Sequence, residues 1–362
     1  MPVIFKCGDE SRPYTVEYRD NSLFVLVDGC DPIEVGSPLA LDASFDLEEF
    51  DVYLLDSPDI RENDVRQVFN KIVGDKARIG WAIPVLSLIS DQHDFASDEH
   101  FLRYSYVALA KSLSALAEDV IFDVSDLSCI EPLEILGESA VILVVSRSTL
   151  KNGHDFEFRR ALPSFVSYGY SSRYIEDDRN HPWVMRDPTT KSITIVQSAK
   201  TPDDHDMVVA MLNGFVSSQR SVALQFFYLY QIIELLMERV VTFRQVEIAD
   251  SITRAGSNSS LIKAALDKIG EINSEKSRMN LVVDRYARMG AELSDLKIQC
   301  NRLKVKLGMD TGESMAEYLY PLRNYIFHNF RSFPKDAEAE LRSVVSSLLA
   351  VMPLFLARFE AP

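Results

Sequence analysis

The chain has 362 residues, 47% of them hydrophobic and 25% charged, with a formal net charge of −16. That length can bury more than one core, and 54 acidic residues against 38 basic ones argue against indiscriminate binding to nucleic acid, whose phosphates such a surface repels. No basic stretch leads into an apolar one at Met1 and no apolar run is read as a membrane span. Cys7, Cys30, Cys129 and Cys300 form no C-x-x-C pair, so the expectation is a cytoplasmic protein with buried reduced thiols and neither a disulfide framework nor a zinc site.

The charge is unevenly spread: positions 1–200 hold 19 basic and 34 acidic residues, whereas positions 201–362 hold 19 and 20. The first part reads as a solvated acidic surface, or as a region that restrains the second part or docks a basic partner. YTVEYRDNSLFVLV, residues 14–27, alternates apolar and polar positions about Asp20 and Asn21, which tolerate the left-handed backbone of a tight turn, and predicts a hairpin. Short apolar runs at 52–55 and 139–145 predict buried strands; the spacing over 61–74 and 101–119 predicts helices. DQHDFASDEH (91–100) and DDRNHPW (177–183) mix His with carboxylates but lack ligand spacing, so they read as acidic loops and no metal is expected. HPWVMRDPTTKSITIVQS, 181–198, predicts a second hairpin about Asp187 and Pro188. Residues 1–200 are expected to form an α+β domain.

At TPDDHD, 201–206, Pro202 and the clustered acids predict a linker, and residues 205–360 carry the pattern of an all-α helical bundle. Residues 221–243 predict an amphipathic helix with Phe226, Phe227, Tyr230, Ile233, Met237 and Val241 on one stripe and Glu234 beside it. Residues 274–307 predict the longest helix, because Met279, Val282, Tyr286, Met289, Leu293, Leu296, Cys300, Leu303 and Leu307 recur at threes and fours; that seam needs a facing helix, inside the bundle or from a second chain. Pro321 predicts a kink in the 313–332 segment or the start of its second half. Either would set Arg323 and Asn324 near a helix start, where free amides favour an anion. A last helix, 336–359, carries Leu341, Val344, Val345, Leu348, Leu349 and Met352 and should be interrupted at Pro353.

The densest chemistry lies in YLYPLRNYIFHNFR, residues 318–331. Successive helical residues turn by about 100°, so Asn324 and His328 share a face while Arg323 sits about 140° around from His328. RNA cleavage without a metal needs a base for the 2′-hydroxyl, an acid for the departing 5′-oxygen and fixed positive charge for the crowded phosphorus. Imidazole as a residue type titrates near neutral pH and suits the proton transfers, whereas guanidinium stays charged and grips phosphate with a planar fork. Asn324 can orient the imidazole or bind phosphate. The plainer reading makes Arg323 and His328 ordinary polar residues at the edge of a core helix.

R-N-Y-I-F-H, beginning at Arg323, resembles the signature of the HEPN superfamily, helical bundles whose late helix carries Arg, often a polar residue after it, and a His a few residues on. FFYLYQIIELLMERV, residues 226–240, is similar to an early helix of several HEPN families. The resemblance covers residues 205–360 only. It implies a metal-independent endoribonuclease that leaves a 2′,3′-cyclic phosphate, with a site composed from two subunits and a role in antiphage defence or a toxin pair. Arg323 and His328 match the catalytic pair and Asn324 its polar neighbour; Arg331, Tyr230 and Glu234 are the expected RNA contacts. The expected partners are RNA, a second copy of the chain and a regulatory protein or antitoxin, with no cofactor and no membrane. The alternative is a non-catalytic adaptor or sensor that keeps the bundle for dimerisation and protein binding.

Overall fold

The computed structural model describes residues 4–7, 10–72, 75–115, 121–123, 127–150, 156–173, 190–198 and 205–359. Contacts gather the chain into two units, Met1–Phe156 with Tyr168–Ile195, and Glu157–Ser167 with Val196–Pro362. The first is built on strands and the second on helices, an α+β part followed by an all-α part as the sequence implies. The division is not a single boundary near residue 200, because the helix Phe158–Ser167 belongs with the helical unit.

In the first unit, Tyr14–Arg19 and Ser22–Val27 pair antiparallel with Arg19 opposite Ser22, and Asp20 and Asn21 close the turn at φ 52° and 64°, the hairpin the sequence predicts. Ile33–Val35 and Cys129–Ile130 extend it to four strands. A six-stranded sheet runs in the order Ser171–Ser172, Phe50–Asp56, Ala140–Ser146, Asp75–Pro84, Arg66–Ile72, Ser192–Ile195. Ala140–Ser146 is buried throughout, which is why its sequence is an unbroken apolar run rather than an alternation. Gly80 sits against it where a Cβ would fall 1.9 Å from the Val144 carbonyl oxygen, so only glycine lets the two strands approach. The helix Glu99–Ala115 bears out the helix expected over 101–119 as far as residue 115; the rest of that stretch lies outside the described residues.

Residues 61–74 do not form the predicted helix: Arg66–Ile72 is a strand. Its inward positions are Arg66, Val68 and Asn70, so the alternation is real but two of its three buried residues are polar. His93, from one of the two acidic loops considered for metal, is buried, with Nε2 2.9 Å from the Ser87 carbonyl and Nδ1 accepting the Phe95 amide at 3.2 Å. The other loop and most of the second predicted hairpin lie outside the described residues. The expectation of four buried reduced thiols fails: Cys30 is disulfide-bonded and Cys129 is exposed, while Cys300 is free and buried.

In the helical unit the longest helix is Val222–Ala255, which extends the predicted 221–243 element, and not 274–307. That second stretch is broken into Glu275–Asn280, a π-helical turn at Leu281–Tyr286, a left-handed residue at Arg288 (φ 46°), a 3-10 turn at Ala291–Leu293 and the helix Ser294–Lys306. The predicted stripe is nevertheless buried from Met279 to Leu303, because burial follows which way each residue points and survives interruptions of the hydrogen-bond ladder. At the break, Glu292 accepts the Gly290 amide and pairs with Arg358 at 2.6 Å. Its own backbone amide, Arg358 and the Gly290 amide hold this carboxyl down at about 2. A depressed carboxylate contributes stability that is present above its unfolded value near 4.5 and lost as pH falls towards 2. Thermal melts of Glu292→Gln are expected to show a shallower loss of stability across that window than the parent protein; identical slopes would refute the assignment.

The segment containing Pro321 is one uninterrupted helix, Met315–His328, started by a capping box between Ser314 and Glu317. Proline removes the amide that would have bonded the carbonyl four residues earlier, that of Glu317. The Glu317 carbonyl instead receives the ammonium of Lys304, at 2.7 Å, on a side chain only 4% exposed. One turn before Lys304, the Asn301 side chain bonds both the N–H and the C=O of Gly312, each at 2.9 Å. Arg323 and Asn324 therefore lie inside a helix rather than at its start, and the expected anion site at a helix N-terminus does not form. Pro353 is likewise carried within the helix Glu338–Arg358 and does not interrupt it. The stretch Lys335–Arg358 is long and apolar enough to cross a membrane, contrary to the sequence reading, but 61% of its apolar window is buried, as in the core helix of a bundle.

Candidate functional site

Two helices bring the singled-out residues together. Arg323, on Met315–His328, pairs with Glu234 of Val222–Ala255, its Nη2 2.6 Å from Oε1. Gln231, one turn before, donates its amide to the other oxygen of Glu234. Both members of the ion pair are about a quarter exposed. The guanidinium also lies over two rings, 5.4 Å from the centre of Tyr230 and 5.5 Å from that of Phe327. Asn324 accepts a hydrogen bond from Arg323 at 3.1 Å, so within the chain it positions the cation and not the imidazole.

Tyr230 is buried, and its hydroxyl donates to Glu275 at 2.9 Å. Burial first, and the bond to Glu275 second, push the phenol pKa far above its ordinary value. Tyr230 thus serves as a ring beneath Arg323; it offers neither a proton nor a surface to RNA, which corrects the expected contact.

His328 closes the motif helix and is exposed, and no hydrogen bond or ion pair engages it among the described residues. Its ring meets Phe327 edge-on, centroids 5.9 Å apart. Arg331, in the following 3-10 turn, is exposed and likewise unengaged among the described residues. Within one chain the arrangement therefore holds a braced cation at Arg323 and an exposed imidazole at His328, with the exposed Arg331 three residues further along the chain. Arg323 and His328 both lie within the helix Met315–His328, so the offset of about 140° expected from helical geometry applies to them.

Sequence reasoning missed Phe227 and Phe327. Phe227 was placed on the core stripe, yet it is half-buried and stacks on Phe327 at 6.2 Å with 24° between planes. Phe327 is 56% exposed. The available signal was its place between Ile326 and His328 on the outward side of an otherwise apolar helix. Among the described residues, no group of three or more His, Cys, Asp or Glu is arranged to hold a metal ion. Comparison with protein-family models, with curated proteins and with solved structures returned no match.

Proposed function

We propose that the chain is a metal-independent endoribonuclease of HEPN type, its helical unit a HEPN bundle, acting in the cytoplasm in antiphage defence or a toxin system. The reading is supported by the placement of an exposed, unengaged histidine on the same helix as an arginine already braced against an aromatic pair. His328 takes the proton of the 2′-hydroxyl or delivers one to the 5′-oxygen. The 2′-oxygen bonds to phosphorus, the bond from phosphorus to the 5′-oxygen breaks, and the products are a 2′,3′-cyclic phosphate and a 5′-hydroxyl end. Arg323 and Arg331 supply the positive charge that steadies the phosphorane. One histidine cannot be both base and acid in the same instant, so a second copy of the chain supplies the other across a cleft that holds the RNA.

Purified full-length protein is expected to cleave total RNA in excess EDTA and to leave cyclic phosphate ends. If chelation stops turnover and magnesium restores it, the metal-free reaction is wrong.

One observation favours a second reading. Glu234 and Asn324 already engage Arg323, as they would in a non-catalytic adaptor that uses the ion pair only to join two helices. Absence of cleavage by a folded dimer under every RNA and metal condition would favour that adaptor.

A further inference from the structure

Beside the motif the helical unit exposes aromatic rings that its own core does not cover. Phe215, 45% exposed, stacks on Tyr228 at 5.0 Å with 19° between planes. Tyr228 meets Phe227 at 5.6 Å, Phe227 stacks on Phe327 at 6.2 Å, and Phe327 abuts His328. The rings form a continuous track that ends at the histidine.

The charge around the track is distinctive. The two segments that carry it, residues 207–233 and 318–335, contain no Asp or Glu, in a chain with 54 of them. They do contain Arg220, Arg323, Arg331 and Lys335. Glu234, just beyond the first segment, is taken up by Arg323, and Arg220, Arg331 and Lys335 leave the two segments net positive. Planar rings on segments of that charge complement a ligand with planar apolar faces and a polyanionic backbone. Single-stranded nucleic acid is that ligand. A second copy laid directly on the track would set these cations against their own images, and a duplex would keep its base faces stacked inside the helix.

We propose that the track from Phe215 to Phe327 is a stacking platform for unpaired nucleobases, which leads a single-stranded RNA to His328 and confines cleavage to unpaired segments. This rests on the endoribonuclease reading for what happens at His328, but the binding itself does not require cleavage.

The experiment uses the full chain with His328→Ala, so that RNA is bound without being cut, and a single-stranded oligoribonucleotide containing 2-aminopurine, with the same sequence as a duplex for comparison. The single strand should bind, with fluorescence quenched by stacking, and the duplex should bind much more weakly. Phe327→Ala should weaken binding about tenfold and relieve the quenching, while Phe327→Trp restores both. Phe215→Ala, on a different helix, should act in the same direction and guards against a local folding defect. The salt dependence should stay unchanged, since no phosphate contact is removed. In the cleaving protein, Phe215→Ala, whose ring stacks on Tyr228 and does not touch Arg323, should raise KM with kcat largely kept.

Unchanged binding in both Ala variants, or equal affinity for the duplex, overturns the platform. So does a dimer that falls apart on Phe327→Ala without loss of stacking, because the rings would then be a seam between copies. Ring-dependent binding by a protein that cleaves nothing would sink the endoribonuclease reading and leave the platform standing. Cleavage that is indifferent to the rings would do the reverse.

Discussion

His328→Ala is expected to reduce RNA cleavage roughly 10²- to 10⁴-fold, the range typical for loss of a positioned acid or base, with no appreciable loss of stability. The asymmetry follows from its surroundings: the imidazole is exposed and makes no hydrogen bond among the described residues, so its removal leaves none of them buried without a partner. Arg323→Ala should abolish cleavage to a similar extent but also cost some stability, because Glu234 is then left partly buried without its cation. The two roles of Arg323 are separated by Glu234→Gln. That substitution breaks the same ion pair yet keeps the guanidinium, so activity should survive in Glu234→Gln and vanish in Arg323→Ala. Equal losses in both would mean that the arginine acts only through the ion pair. Gel-based cleavage, with melting followed by circular dichroism, reads both quantities. Full activity in a folded His328→Ala protein removes the catalytic assignment.

Lys304→Met is expected to destabilise the helical unit by about 2 to 3 kcal/mol, although it replaces a charge by an apolar side chain of similar length. Burial lowers the pKa of this ammonium, which on its own account would be better off in water. Its contribution lies in satisfying the Glu317 carbonyl, which Pro321 deprives of its helical donor. The two residues should therefore be coupled. In a Pro321→Ala background the residue 321 amide can bond Glu317 itself, and the cost of Lys304→Met should drop by more than half. Denaturant melts of the four proteins in this cycle measure the coupling; additive costs would show that Lys304 serves some other partner.

Residues at turns and in continuous apolar runs announced themselves in the sequence: Asp20 and Asn21 adopt the backbone their types favour, and residues 140–145 are apolar because both faces are covered. The strand Arg66–Ile72 was hidden by Arg66 and Asn70, polar residues on the inward face whose burial depends on partners far away in sequence. Spacing identified the buried stripe between Met279 and Leu303 but not the breaks in its backbone; Gly290 was the one local signal of them. The continuity of the motif helix was illegible for a different reason. Whether Pro321 breaks a helix depended on a lysine in the preceding helix, and no local pattern encodes that donor. At the site, residue types and spacing selected Arg323, Asn324, His328 and Glu234, whereas the exposure of Phe327 and the burial of Tyr230 appear only once the helices are packed.

The chain enters the helical unit at Glu157, leaves it after Ser167, and returns at Val196. A fragment begun at residue 205 would lack the helix Phe158–Ser167, which packs on the C-terminal helix; most of the linker expected at 201–206 lies outside the described residues. It would expose an apolar face of that helix to water, and should be recovered in aggregates or bound to chaperones unless residues 157–167 are supplied on a second polypeptide. For the same reason a single cut between residues 198 and 205 would not liberate a complete helical unit, because the helix Phe158–Ser167 would stay on the N-terminal piece. A gene designed to express the helical unit by itself therefore needs residues 157–167 spliced onto 196–362 rather than a shorter open reading frame.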